Sequence, residues 1–193
     1  MNRPILSSLL AAALLGACVA PGARQFETSE AAAIEVVARV EAGDIPAAAQ
    51  LYSDYGRWRG DPDALYPNLY DTSAELFELG DAAGAADLLA LLADRHPSAV
   101  SVHEALVYAL FVASAESSDP ELGLRLDDAI ARLRAIAPAR PGWVDLAETQ
   151  RRIDRGDLDG ARRTLATFES GWTGTPQELT PYVQDLERYL ATH

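Results

Sequence analysis

The chain has 193 residues, 49% hydrophobic and 23% charged. This bounds it to about one globular domain whose core needs neither disulfides nor metal, and excludes wholesale disorder. The formal charge is −13 and every basic residue is Arg. Such acidity sets the chain against nucleic-acid phosphates and anionic lipid headgroups, so any membrane attachment must be apolar. The charge is uneven. Residues 19–118 hold 5 Arg against 16 acidic residues, and residues 119–193 hold 10 against 13.

In chain order, Met1-Asn2-Arg3 is a short positive start, followed by an apolar run from Ile5 to Leu15. That run is too short to span a bilayer, which takes about 20 apolar residues. It fits the h-region of a secretory signal. Leu15-Gly16-Ala17-Cys18 follows, and Cys18 is the single Cys, so no disulfide can form within the chain. These residues resemble the lipobox of bacterial lipoproteins. The resemblance implies a signal peptide over 1–17, a lipidated Cys18 with a tether over 18–28, and a lipid-anchored, periplasm-facing location. Val19 replaces the Asp that resembles an inner-membrane retention signal, which points to the outer membrane. Multiple acyl chains hold far more firmly than one.

The remainder, residues 29–193, reads as helical repeats. Thr28 or Ser29 is positioned to cap a first helix, with Glu30 in its first turn. Gly43-Asp44, Gly80-Asp81 and Gly156-Asp157 share one turn signature, each with Ala five residues after the Gly, at Ala48, Ala85 and Ala161. Ser118-Asp119 is a degenerate copy, which makes the spacing 37 or 38 residues throughout. Gly suits a left-handed helix end, and Asp suits the cap of the next helix. Pro62, Pro97, Pro138 and Pro176 then mark unit ends.

Apolar stripes at helical spacing agree. They are Ala85, Leu88, Leu89 and Leu92; then Val102, Ala105, Leu106, Ala109, Leu110 and Ala113; then Leu122, Leu126, Ile130 and Leu133. Leu146, Ile153, Leu158, Leu165 and Phe168 continue the series. A last helix over 177–191 carries Leu179, Val183, Leu186 and Leu190, with polar flanks suited to an end cap. No stretch alternates long enough to predict a strand.

The pattern resembles the tetratricopeptide repeat, a two-helix unit of about 34 residues. The copy at Gly80 matches best, with Ala85 and Pro97 in the family's positions, while the other copies are longer and depart from it. The resemblance implies an all-α, right-handed alpha-solenoid of about four helix-turn-helix repeats plus a C-terminal capping helix. It also implies that Tyr70, Asp71, Tyr108 and Val112, on first helices, line a concave groove that binds a partner.

Catalytic and metal chemistry find little footing. His103-Glu104 could open a zinc-binding helix, but Val107 stands where the second ligand is needed. There is no Gly-x-Ser-x-Gly elbow and no phosphate-cradling loop. Asp61 and Asp63 flank Pro62 at a predicted helix start, where capping explains them. Asp127 and Asp128 are adjacent on a helix and cannot face each other. Arg151, Arg152, Arg155, Arg162 and Arg163 form a basic cluster, expected to pair with Asp154, Asp157 and Asp159. Tyr52, Tyr55, Trp58, Tyr66 and Tyr70 form an aromatic cluster, with Tyr52 and Tyr55 expected in the core.

The sequence therefore predicts no enzyme, no cofactor and no metal. It predicts a lipid-anchored periplasmic scaffold that binds a protein or peptide of a cell-envelope assembly, secretion or cell-wall machine. The alternatives are a glycan- or peptidoglycan-binding module using the 52–70 aromatics, and an envelope enzyme.

Overall fold

In the computed structural model, described residues comprise 26–117, 119–138, 142–174 and 177–193. The signal segment, Cys18 and most of the tether lie outside them, as do Ser118 and Pro176. Among the described residues the fold is all-helical, with no strand. The helices are α1 (Ser29–Glu41), α2 (Ile45–Arg59), α3 (Tyr66–Glu78), α4 (Ala82–Arg95) and α5 (Val100–Glu116). After these come α6 (Pro120–Ile136), α7 (Trp143–Asp154), α8 (Leu158–Gly171), a 3-10 turn (Gln177–Leu179) and α9 (Thr180–Thr192). Packing divides the chain into two units, one ending at Asp71 and the other beginning at Thr72, so the division falls inside the α3 segment.

The three Gly-Asp turns share one geometry. Gly43, Gly80 and Gly156 take φ of +75°, +88° and +75°. The following Asp N–H donates back to the carbonyl of Arg39, Leu76 or Arg152 at 2.8–2.9 Å, closing the preceding helix. The same Asp side chains cap the next helix, accepting from the N–H of Ala47 at 3.2 Å, Gly84 at 2.8 Å and Gly160 at 2.9 Å. Ala48, Ala85 and Ala161 are fully buried, and across two of these turns the second helix packs on the first, α2 on α1 and α8 on α7, where a small side chain allows close approach.

A Cβ on Gly84 or Gly160 would collide with the capping carboxylate. Ala47 holds the equivalent place with the longer hydrogen bond, so the clash is relieved by a small shift of the Asp. The degenerate copy differs. Ser117 ends α5 in extended backbone, and Asp119 caps α6 through the N–H of Glu121 at 2.9 Å. Thr28 caps α1 by accepting from the Ala31 N–H at 3.1 Å.

In the first unit α1 packs on α2, burying Ala32, Val36 and Val40 with Leu51, Tyr52 and Tyr55, and Leu65 and Leu69 are buried as well. Tyr52 and Tyr55 are core residues, at 3% and 0% exposure, as the spacing predicts.

In the second unit α5 is central, packing against α4, α6 and α7. Its predicted single stripe is too narrow: His103, Val107 and Phe111 are buried too, because helices cover it on several sides. Ala105, predicted in that stripe, is only half-buried. Past α7, Leu146, Ala161, Leu165, Phe168, Val183 and Leu186 join α7, α8 and α9 in one cluster. The predicted last helix begins as a 3-10 turn, and the α-helix starts only at Thr180, with Pro181 in its first turn.

Ion pairs fix how the helices of this unit sit side by side. Arg125 reaches Asp87 at 2.5 Å and Arg132 reaches Asp94 at 2.6 Å. Both join α6 to α4, and both span 38 residues. Asp127 on α6 accepts two hydrogen bonds from Arg151 of α7, at 3.1 and 3.2 Å, and a third from Arg155. Gly123 makes room for this, since a Cβ there would lie 2.8 Å from the Arg151 guanidinium. Arg134 crosses to Asp145 and Glu148, and Asp145 also accepts from the Gly142 N–H at the start of α7.

Gly80→Ala should cost about 1–2 kcal/mol through left-handed strain, whereas Gly84→Ala should be near neutral on the precedent of Ala47; urea unfolding measures both. Burial opposes ionisation of Asp127, but its hydrogen bonds and charge contacts with Arg151 and Arg155 outweigh this and lower its pKa from 3.8. Its contribution is therefore present above that value and is lost as pH falls through the lowered one. Asp127→Asn should destabilise at pH 7, and the gap from the parent should close in acid, as thermal melts across pH would show.

Candidate functional site

A row of aromatic rings runs through the second unit from the end of α3 across α5 and α7 to α9. Phe77 packs on Tyr108 at 4.8 Å between centroids, Tyr108 on Trp143 at 4.1 Å, and Trp143 on Tyr182 at 4.9 Å. Phe111 closes the group at 5.8 Å from Tyr182. Such contacts contribute roughly 0.5–1.5 kcal/mol each beyond burial. They arise because α5 packs directly on α7, and α7 on α9.

Alongside the row lies a cleft of about 800 Å³, within the size range of small-ligand sites. Phe111 and Val112 of α5, Ile153 of α7, and Tyr182, Leu186 and Tyr189 of α9 form its apolar lining. Its polar lining is Glu116, Gln150, Asp154 and Asp185. Asp154 accepts from Gln150 at 2.8 Å and Arg151 at 3.0 Å, and Asp185 pairs with Arg188 at 2.9 Å. Tyr189 is 41% exposed, a large apolar surface at the cleft margin.

The residues predicted to line a groove are distributed between the units. Tyr108 and Val112, one helical turn apart, belong to the aromatic row and the cleft respectively. Tyr70 and Asp71 lie in the first unit, where Tyr70 stacks on Tyr66 at 5.8 Å and Asp71 is exposed. Cys18 is outside the described residues. Of the other aromatics in 52–70, Trp58 meets Tyr55 edge-on, with the Arg59 guanidinium over both rings.

The basic cluster is largely engaged. Arg152 binds Glu148 and Asp157, and Arg162 binds Asp159 and the Leu190 carbonyl. Sequence reasoning did not single out Phe111, Trp143 or Tyr182. The available signal was an aromatic recurring at about the repeat spacing, at 108, 143 and 182.

Among the described residues no three His, Cys, Asp or Glu side chains are grouped to hold a metal ion, and no helix is long and apolar enough to cross a membrane. His103 is buried, and neither ring nitrogen makes a hydrogen bond of ordinary geometry. Burial, and then the Arg132 charge, lower its pKa; a looser contact with the Pro97 carbonyl and the Asp94 charge work against them. No family model, no curated protein and no solved structure matches the chain.

One cleft wall is held under opposition. Burial, the Glu187 charge and a hydrogen bond with Glu187 all raise the pKa of Glu169, where α8 meets α9. A raised carboxylate pKa costs stability at neutral pH, and the cost is relieved as pH falls toward and below the ordinary 4.5. Glu169→Gln should therefore raise the melting temperature at pH 7, with the gain vanishing below that value. Calorimetry at both pH values tests it.

Proposed function

We propose that the chain is a lipid-anchored, periplasm-facing scaffold of the bacterial cell envelope that holds a protein or peptide partner in the α5–α7–α9 cleft. Cys18 is the anchor, and the first residues serve as a lipoprotein signal. The observation that carries the reading is the cleft itself, a concave surface with an aromatic floor, on helices whose neighbours leave that side open. Apolar concavities rimmed by polar groups are where partners dock.

The helical-repeat origin of the cleft has its own support. The Gly-Asp turn recurs with one geometry. Two ion pairs join residues 38 apart, the spacing of the turn signature. A tetratricopeptide-like solenoid, with first helices side by side, puts alternate helices along one groove. The partner would belong to an assembly, secretion or cell-wall machine, recognised by shape and surface with no bond made or broken.

The test replaces Val112 with a photocrosslinking residue in cells and follows lipid labelling at Cys18. A discrete crosslinked envelope protein, absent when the same residue is placed at exposed Ile34, supports a partner in the cleft. Loss of the lipid label and of membrane retention in Cys18→Ala supports the anchor. Equal crosslinking from both positions would remove the cleft from the proposal, and an unlabelled parent would remove the anchor.

A further inference from the structure

The lining of the cleft is chemically one-sided. Three carboxylates, Glu116, Asp154 and Asp185, come from three different helices, and no Arg contributes to the lining. Two of the three have an Arg partner that lies outside the lining. Arg188 pairs with Asp185 at 2.9 Å while both are about 70% exposed, so water damps the pair and the pull of Asp185 on a ligand alike. Arg151 divides its guanidinium between Asp154 and the two oxygens of Asp127. Glu116 is exposed and makes no ion pair among the described residues. The lining therefore carries one sign of charge, on a cleft open to solvent.

Two further features narrow the ligand. The carboxylates are spread around the cleft and not gathered for metal coordination, so the cation they suit is an extended organic one. The apolar lining of Phe111, Val112, Ile153 and Leu186 asks for apolar side chains beside that cation, and the aromatic rings of Tyr182 and Tyr189 also line the cleft, Tyr189 with one face stacked on His193. An acidic segment would meet repulsion, most of all at Glu116.

We infer that the cleft selects a cationic, amphipathic peptide segment of a protein partner, with Arg or Lys set against Glu116, Asp154 and Asp185 and apolar side chains on the aromatic floor. This rests on the partner-binding reading of the same cleft and adds the chemistry of the partner.

The test uses the full chain in a neutral detergent, a fluorescein-labelled octapeptide alternating Leu and Arg, and analogues with Ser or Glu in place of Arg. Anisotropy is read at roughly 150 mM salt, where long-range attraction to the acidic chain is damped. The Arg peptide should bind about tenfold or more tightly than either analogue. Glu116→Gln and Asp185→Asn should each weaken it about threefold. Ala115, an exposed α5 residue, also lines the cleft, and Ala115→Trp, which fills it without altering charge, should abolish binding. Glu41→Gln, the same charge change in the first unit, should leave it unaltered.

If the Ser peptide binds as well as the Arg peptide and Ala115→Trp removes both, the cleft holds a partner but the cationic selection is wrong. If Ala115→Trp has no effect and Glu41→Gln costs as much as Glu116→Gln, the attraction is general and the inference falls. If no peptide binds, the inference and the peptide-binding cleft fall together.

Discussion

A chain that must reverse between two packed helices within two residues needs a left-handed position to end the first and a side chain to start the second. Gly-Asp supplies both, and the same two residues do so at 43, 80 and 156. The rest follows from that constraint. Where α2 packs on α1 and α8 on α7, the short reversal brings the second helix close, and close approach demands a small residue, which buried Ala48 and Ala161 provide. Once helices pair in this way, each pair buries only part of its apolar surface and must find a neighbour. In the second unit that need is met by α5 packing on α7 and α7 on α9, which is what leaves a cleft along their shared side.

Electrostatics then trims the packing. Surface pairs such as Arg125–Asp87 contribute little individually. Their value is positional, since a pair joining residues 38 apart is satisfied in one register only. The Arg151–Asp127 contact is firmer, being two-pronged and partly sheltered, and it needs the bare backbone of Gly123 beneath it. At the other margin the Glu169–Glu187 contact opposes the seating of α9, while Arg162 holds that helix through the Leu190 carbonyl. Of the cleft walls, α9 is thus secured by opposing forces, and α7 by converging ones.

Local chemistry was legible in the sequence. Turn residues, caps, the buried Ala positions and the burial of Tyr52 and Tyr55 follow from spacing and from the conformations that Gly and Asp favour. What escaped depended on residues far apart in the chain. The burial of His103 and Phe111 could not be read from a stripe, because it arises from how many helices surround α5. Arg151 was expected to pair with acids close in sequence, and it does reach Asp154, but its stronger contact is to Asp127 on the preceding helix. Trp143 and Tyr182 carried only a faint periodic signal, and their meaning appears once α5, α7 and α9 lie side by side. Val112, expected in a groove by resemblance to a repeat family, lines the cleft.

The aromatic row has an optical consequence. Tyr108, Trp143 and Tyr182 sit on three different helices with rings 4–5 Å apart. At such separations the transition dipoles of the rings couple, and the sign and strength of that coupling depend on the angles between them. The near-ultraviolet circular dichroism of this protein therefore carries a term set by the mutual alignment of α5, α7 and α9. A small rotation of any one of them would alter that term while leaving the far-ultraviolet helical signal as it was, so the molecule contains its own gauge of helix alignment.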